Sequence, residues 1–164
     1  MSAPITIVQC LTAAATAVEN DTGVAWFLST NYPGSTLQTF IGQDGSNPPT
    51  ELQAPFVVFL PSLRPYDLGE GTDERAPTFE VEFGLLDERV STSGARKTYT
   101  GLVNIDAFGN AILAAIKTAF VPEHIRVANY SLDESTRFPL FQGGMSITAW
   151  WVIGLDETVA IGDQ

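Results

Sequence analysis

The sequence predicts one domain that mixes β-strands with amphipathic helices, and three stretches carry that prediction. From Gly144 to Leu155 the residues alternate, with Met145, Ile147, Ala149, Trp151 and Ile153 pointing one way and Ser146, Thr148, Trp150 and Val152 the other. A period of two in β-branched and aromatic types marks a long strand with one face on a core. Burying Met145, Ile147, Trp151 and Ile153 contributes about 1.5–3 kcal/mol each, enough for a sheet to rest on this strand. Its other face carries Trp150 and Val152, so a second layer or a partner subunit is expected there. Thr78 to Leu86 alternates as cleanly: Phe79, Val81, Phe83 and Leu85 face the core, while Glu80 and Glu82 face solvent or another subunit. From Leu102 the period changes. Leu102, Ile105, Phe108, Ile112, Ile116 and Phe120 recur at steps of three and four, the mark of an amphipathic helix ending at Ala119 or Phe120.

Composition bounds the class. A chain of 164 residues fits one domain and is long enough to bury a sizeable core. With 45% hydrophobic residues and a mean hydropathy of +0.11, the chain is globular rather than disordered. Nineteen acidic against eight basic residues give a net charge of −11, and this balance opposes phosphate binding, which depends on clustered Lys and Arg. Sequence-specific recognition of DNA or RNA is therefore not expected; the charge limits aggregation. Cys10 is the single cysteine, which excludes an intramolecular disulfide and suits a reducing compartment. No basic leader opens the chain, and no apolar run approaches the roughly 20 residues of a membrane span. A cytoplasmic protein without membrane contact is expected. In that setting the glycosylation-like triplets at Asn20 and Asn129 are chance matches.

In chain order, Ser2 and Pro4 read as a helix start, and the spacing of Ile5, Val8, Leu11 and Ala15 predicts a helix from Pro4 to Glu19, ended by Asn20 to Gly23. Cys10 lies beside that stripe as a buried structural thiol. Val24 to Leu28 reads as a short strand, Tyr32 to Ser35 as a turn, Leu37 to Ile41 as another short strand and Gly42 to Thr50 as a polar loop. Ala54 to Leu60, bounded by prolines, suits a strand buried on both faces.

Ser62 to Pro77 holds Pro65, Gly69, Gly71 and Pro77 among Asp67, Glu70, Asp73 and Glu74, and reads as a long acidic surface loop. Loops of this length in compact domains tend to be functional or disordered. Its carboxylates lack the spacing of a Ca²⁺ loop, and Gly69 and Gly71 do not make a phosphate loop. Asp87 to Lys97 is expected to be an exposed hairpin tip with three of the basic residues, Arg89, Arg96 and Lys97; a charge-complementary contact with an acidic neighbouring copy is the alternative role. Asn104 or Thr100 is the candidate cap of the following helix, and Pro122 stops it. Ile125 to Leu132 reads as a strand with Ile125, Val127, Asn129 and Ser131 on one side and Arg126, Ala128, Tyr130 and Leu132 on the other. Asp156 to Gln164 is a short acidic tail.

Catalytic chemistry is not legible. His124, the only histidine, sits at a helix end and suits a surface or capping role. No Gly-x-Ser-x-Gly elbow accompanies it, and zinc ligands are too few. No carboxylate pair is singled out for glycoside chemistry. Trp26, Trp150 and Trp151 are read as core residues rather than a ligand platform. No catalytic residue, metal or cofactor is assigned.

The order of elements carries more. An N-terminal helix precedes strands around Pro55-Phe56-Val57-Val58 and Phe79-Glu80-Val81-Glu82-Phe83. The helix Leu102 to Phe120 then leads into a closing hairpin whose second strand is introduced by Phe138-Pro-Leu-Phe-Gln-Gly-Gly-Met. Over most of the chain this layout resembles the tail terminator (tail-completion or neck) proteins of tailed bacteriophages. The resemblance implies an α+β fold, a mixed and mainly antiparallel β-sheet with two α-helices packed on one face, in a single domain over residues 1–164. It implies a structural virion protein and not an enzyme: a ring, commonly a hexamer, that caps the tail tube, ends its polymerisation and joins it to the connector proteins of the head and neck.

Assembly in the host cytoplasm and residence in the virion follow from the same resemblance. The negative charge fits a lumen through which DNA passes without specific binding. Asp67, Glu70, Asp73 and Glu74 of the long loop, Arg89, Arg96 and Lys97 of the basic tip, and Trp150 and Val152 of the last strand are then candidates for subunit contacts. In a ring each contact is heterologous, so one acidic and one basic patch of the same subunit meet around the circle. The other readings are a head-closure or tail-tube subunit of the same kind of particle, and a small acidic enzyme or ligand-binding domain with a pocket between helices and sheet.

Overall fold

A computed structural model describes residues 6–68, 74–120, 125–133, 138–149 and 151–152. The expected start at Ser2 and Pro4, the acidic residues Glu70 and Asp73, the stop at Pro122 with His124, Trp150, Ile153 and the tail 156–164 lie outside the described residues. The fold is α+β. Its mixed, mainly antiparallel sheet carries helices on one face, and their apolar stripes and the sheet's inner face make one core.

Helix α1 spans Ile7–Asn20 and α2 spans Thr22–Asn31. Thr6 begins α1 with a capping box: its hydroxyl accepts the Gln9 amide and the Gln9 side chain accepts the Thr6 amide. Asp21 joins the two helices. Its amide donates to the Val18 carbonyl at the end of α1, and its carboxylate accepts the Val24 amide at the start of α2. The Asn20–Gly23 stop is therefore also a start, and the strand expected over Val24 to Leu28 is a helix. Val24, Phe27 and Leu28 are buried at helical spacing while Trp26 is 67% exposed, against the core role expected for it. Cys10 is buried, as expected.

Strand β1 (Gln38–Ile41) runs parallel to β2 (Phe56–Leu68), across a polar loop and a 3-10 turn at Glu51–Gln53. In β2, Phe56, Val57, Val58 and Phe59 are all buried, as expected of a strand covered on both faces. β2 pairs antiparallel with β3 (Glu74–Leu86), and here the expected loop Ser62 to Pro77 is corrected: 62–68 continue β2 and 74–77 open β3, while 69–73 lie outside the described residues. Pro65 and Pro77 argued for a loop because they lack amide donors. The ladder accommodates them because its register shifts between Pro61 and Tyr66 and resumes with Tyr66 opposite Pro77 and Asp67 opposite Ala76. In the inner half, Phe79, Val81, Phe83 and Leu85 are fully buried, as their alternation predicts.

Strands β4 (Val90–Ser93) and β5 (Arg96–Tyr99) form a separate two-stranded sheet. Helix α3 (Thr100–Thr118) follows at once. Its core stripe is Ile105, Phe108, Ile112, Ala115 and Ile116; Leu102 is 52% exposed and does not belong to it. Neither expected cap operates. Tyr99 occupies the capping position with no side-chain hydrogen bond, Thr100 is the first helical residue, and Asn104 is turned to another task. At Gly109, α3 comes so close to the sheet that an added Cβ would lie 2.6 Å from the Phe83 ring and 2.5 Å from the Tyr130 hydroxyl.

The sheet is completed by β6 (Ile125–Leu132), β7 (Leu140–Ala149) and β8 (Trp151–Val152), in the order β1-β2-β3-β7-β6, with β8 on the outer part of β3. β7 starts earlier than the period around Gly144 suggests, adding Phe141 to the buried side with Met145, Ile147 and Ala149. β6 departs from the expected alternation. Asn129 adopts a positive φ of 53° and the register against β7 shifts between Ala128 and Ser131. Past this bulge the faces exchange, so Tyr130 and Leu132 join Ile125 and Val127 against the core. Tyr130 then donates to the Asp106 carboxylate of α3 at 2.9 Å, and burial, reinforced by that carboxylate, pushes its phenol pKa up.

Candidate functional site

Two features stand out where the helical layer ends. The first is the root of the β4–β5 hairpin. Asp87, which follows β3, is 3% exposed and accepts four hydrogen bonds. Arg89 supplies three of them, Nε to Oδ1 at 2.9 Å, Nη2 to Oδ2 at 2.7 Å and its backbone amide to Oδ1 at 2.9 Å. The Tyr32 hydroxyl at the end of α2 supplies the fourth at 2.8 Å, and Asn104 of α3 donates to that hydroxyl at 3.1 Å. The Arg89 guanidinium also lies 5.1 Å from the Tyr32 ring centre. Burial, the largest single influence on Asp87, raises its pKa; the hydrogen bonds from Arg89 and Tyr32 outweigh it and hold the carboxyl below its usual range. Burial pushes the Tyr32 phenol up to about 12.

From this root the hairpin projects. Every residue from Val90 to Tyr99 is exposed, and Arg96 and Lys97 make no ion pair among the described residues. Tyr99 meets Phe138 edge-on at 5.3 Å, beside the root.

The second feature is on the sheet face opposite the helices. Phe56 lies across Gly84, where an added Cβ would run into its ring. Beside it opens a cavity of about 550 Å³ bordered by Glu82, Ser131, Asp133, Gln142 and Gly144. Glu80 is next along the same face and accepts a hydrogen bond from the Ser146 hydroxyl at 2.5 Å. Desolvation, then the charges of Glu80 and Asp133, raise the Glu82 pKa. A carboxyl raised in the folded state favours folding below its unfolded pKa and loses that contribution as pH rises through the folded value. Glu82→Gln is therefore expected to raise the subunit's Tm at pH 7 and leave it unchanged near pH 3; a fall at pH 7 in thermal melts would contradict this.

The sequence-predicted contact residues fall on several elements. Asp67 belongs to β2 and Glu74 to β3, where Glu74 pairs with Val152 of β8. Glu70, Asp73 and Trp150 are outside the described residues. Arg89 is engaged with Asp87 at the hairpin root, which leaves Arg96 and Lys97 as the basic tip. The polar root was missed because Tyr32, Asp87 and Asn104 are far apart in sequence and none belongs to a motif. Glu80 and Glu82 were readable from their alternation with the core phenylalanines, whereas Asp133 is brought beside them only by the pairing of β6 with β7. Among the described residues no group of three or more His, Cys, Asp or Glu side chains is arranged to hold a metal ion. No helix among them is long and apolar enough to cross a membrane.

No protein-family model matches the chain, and no curated protein matches it in sequence.

Proposed function

We propose that this protein is a structural virion component, a tail terminator whose copies form a ring, most simply a hexamer, on the end of a bacteriophage tail tube. In that role the ring stops tube growth and joins the tube to the connector proteins of the head and neck, and DNA passes its lumen without specific binding. It works by assembly rather than turnover, in the virion, after assembly in the host cytoplasm. The observation that carries the proposal is the projecting β4–β5 hairpin, an arm fixed at its root and bearing two cations that pair with no carboxylate among the described residues. Such an arm suits contact with another copy, and a net charge of −11 suits a passage for a polyanion.

The test is native mass by light scattering, with negative-stain images of the same sample, alone and with purified tail tubes. Six copies of 17.7 kDa predict about 106 kDa and a ring with a central hole. Long tubes formed by the protein alone would indicate a tail-tube subunit. A monomer that also ignores tail tubes would overturn the proposal.

A further inference from the structure

We infer that the β4–β5 hairpin of one copy seats on the helix-free sheet face of the next copy, with Arg96 and Lys97 entering the cavity bordered by Glu82 and Asp133. The inference rests on the ring assembly proposed above and names the two surfaces that meet in it.

The hairpin needs something beyond its own ladder. Among the described residues its strands pair only with each other, all of their residues are exposed, and an isolated two-stranded hairpin is marginal in water. Its root is clamped toward the helical layer by Asp87, Tyr32 and Asn104, whereas the cavity opens on the opposite side of the sheet. Within one chain no ion pair joins the two surfaces: Arg96 and Lys97 pair with no carboxylate among the described residues. A cation reaching the cavity from this hairpin therefore comes from another copy.

The receiving face is built to accept it. Its floor is the apolar ring of Phe56, and about 550 Å³ is room for a long aliphatic stem and a charged head. Glu82 is exposed beside the cavity, and after desolvation the charges of Glu80 and Asp133 raise its pKa, so the field at its carboxylate is negative. A guanidinium or ammonium group beside Glu82 opposes that field. Because tip and cavity are different surfaces of the same subunit, the contact is head-to-tail, the kind that closes into a ring.

Two variants carry the test, Arg96→Glu with Lys97→Glu (tip reversed) and Glu82→Lys with Asp133→Lys (face reversed). Each alone is expected to associate at least about tenfold more weakly than the wild type by light scattering. Mixed in equal amounts they are expected to assemble again, because each reversed tip then meets a face of opposite sign. Either variant assembling like the wild type, or a mixture of two folded variants that fails to assemble, would overturn the contact. Should the wild type stay monomeric, Lys97→Cys and Glu82→Cys copies are mixed under mild oxidation. A disulfide-linked heterodimer then supports the contact independently of a stable ring, and its absence overturns the contact whatever native mass says of the ring.

Discussion

Phe83→Ala is expected to cost about 3–5 kcal/mol of folding stability, the largest effect of any single substitution considered for this protein. Phe83 is fully buried, edge-on to Phe108 at 6.2 Å and 6.3 Å from Tyr130. Its ring also lies against Gly109 of α3 and Gly143 of β7, two positions without side chains that could collapse into the space left behind. The cavity would therefore persist, and the cost would include both lost transfer energy and lost dispersion contacts. For a domain of this size the melting temperature should fall by about 10 °C. A fall of under about 2 °C in thermal or urea unfolding would mean that the helix and sheet are not joined through this ring.

Asp87→Asn is expected to cost about 2–3 kcal/mol at pH 7, because the replacement keeps the shape but removes the charge that accepts from both Arg89 and Tyr32. One amide oxygen remains as acceptor while the amide nitrogen meets donors. The sign with pH follows from the lowered pKa of Asp87. A carboxyl depressed in the folded state contributes stability that is complete above its unfolded value, about 3.9, and is lost as pH falls through the folded value. The wild-type advantage should be greatest near neutrality and shrink in strong acid. Denaturant titrations showing the same difference at both extremes would contradict that origin. Hydrogen exchange should also accelerate over residues 90–99, since the hairpin root is held by the same bonds.

Much of the fold was readable because burial imposes a period. Phe79 to Leu85 alternate with Glu80 and Glu82, and Ile105, Phe108, Ile112 and Ile116 step around one helical face; in both stretches local chemistry and tertiary environment agree. The misreadings have local causes. Val24 to Leu28 is too short for its period to separate helix from strand, and the decisive signal is Asp21, which caps one helix as it ends another. In the outer β2–β3 hairpin, prolines that normally break pairing fall at a register shift. In β6 a single residue at positive φ exchanges the faces of all that follows, which no alternation rule anticipates. The contact surfaces were only partly legible because they join distant residues: the basic tip is contiguous in sequence, but Asp87 with Tyr32 and Glu82 with Asp133 exist only once the chain has folded.

The bulge at Asn129 has a bearing on how copies can add to one another. Among the described residues, β6 is one rim of the inner part of the main sheet, and β1, at four residues, is the other. A rim with an unbroken row of amides and carbonyls invites a strand from another molecule, and repetition of that step gives open-ended fibres. Here one rim is short and the other is kinked between Ala128 and Ser131, so a visiting strand would lose register after a few residues. Strand-by-strand accretion is thus disfavoured at these two margins, which turns association there toward side-chain surfaces, whose geometry can limit how many copies join.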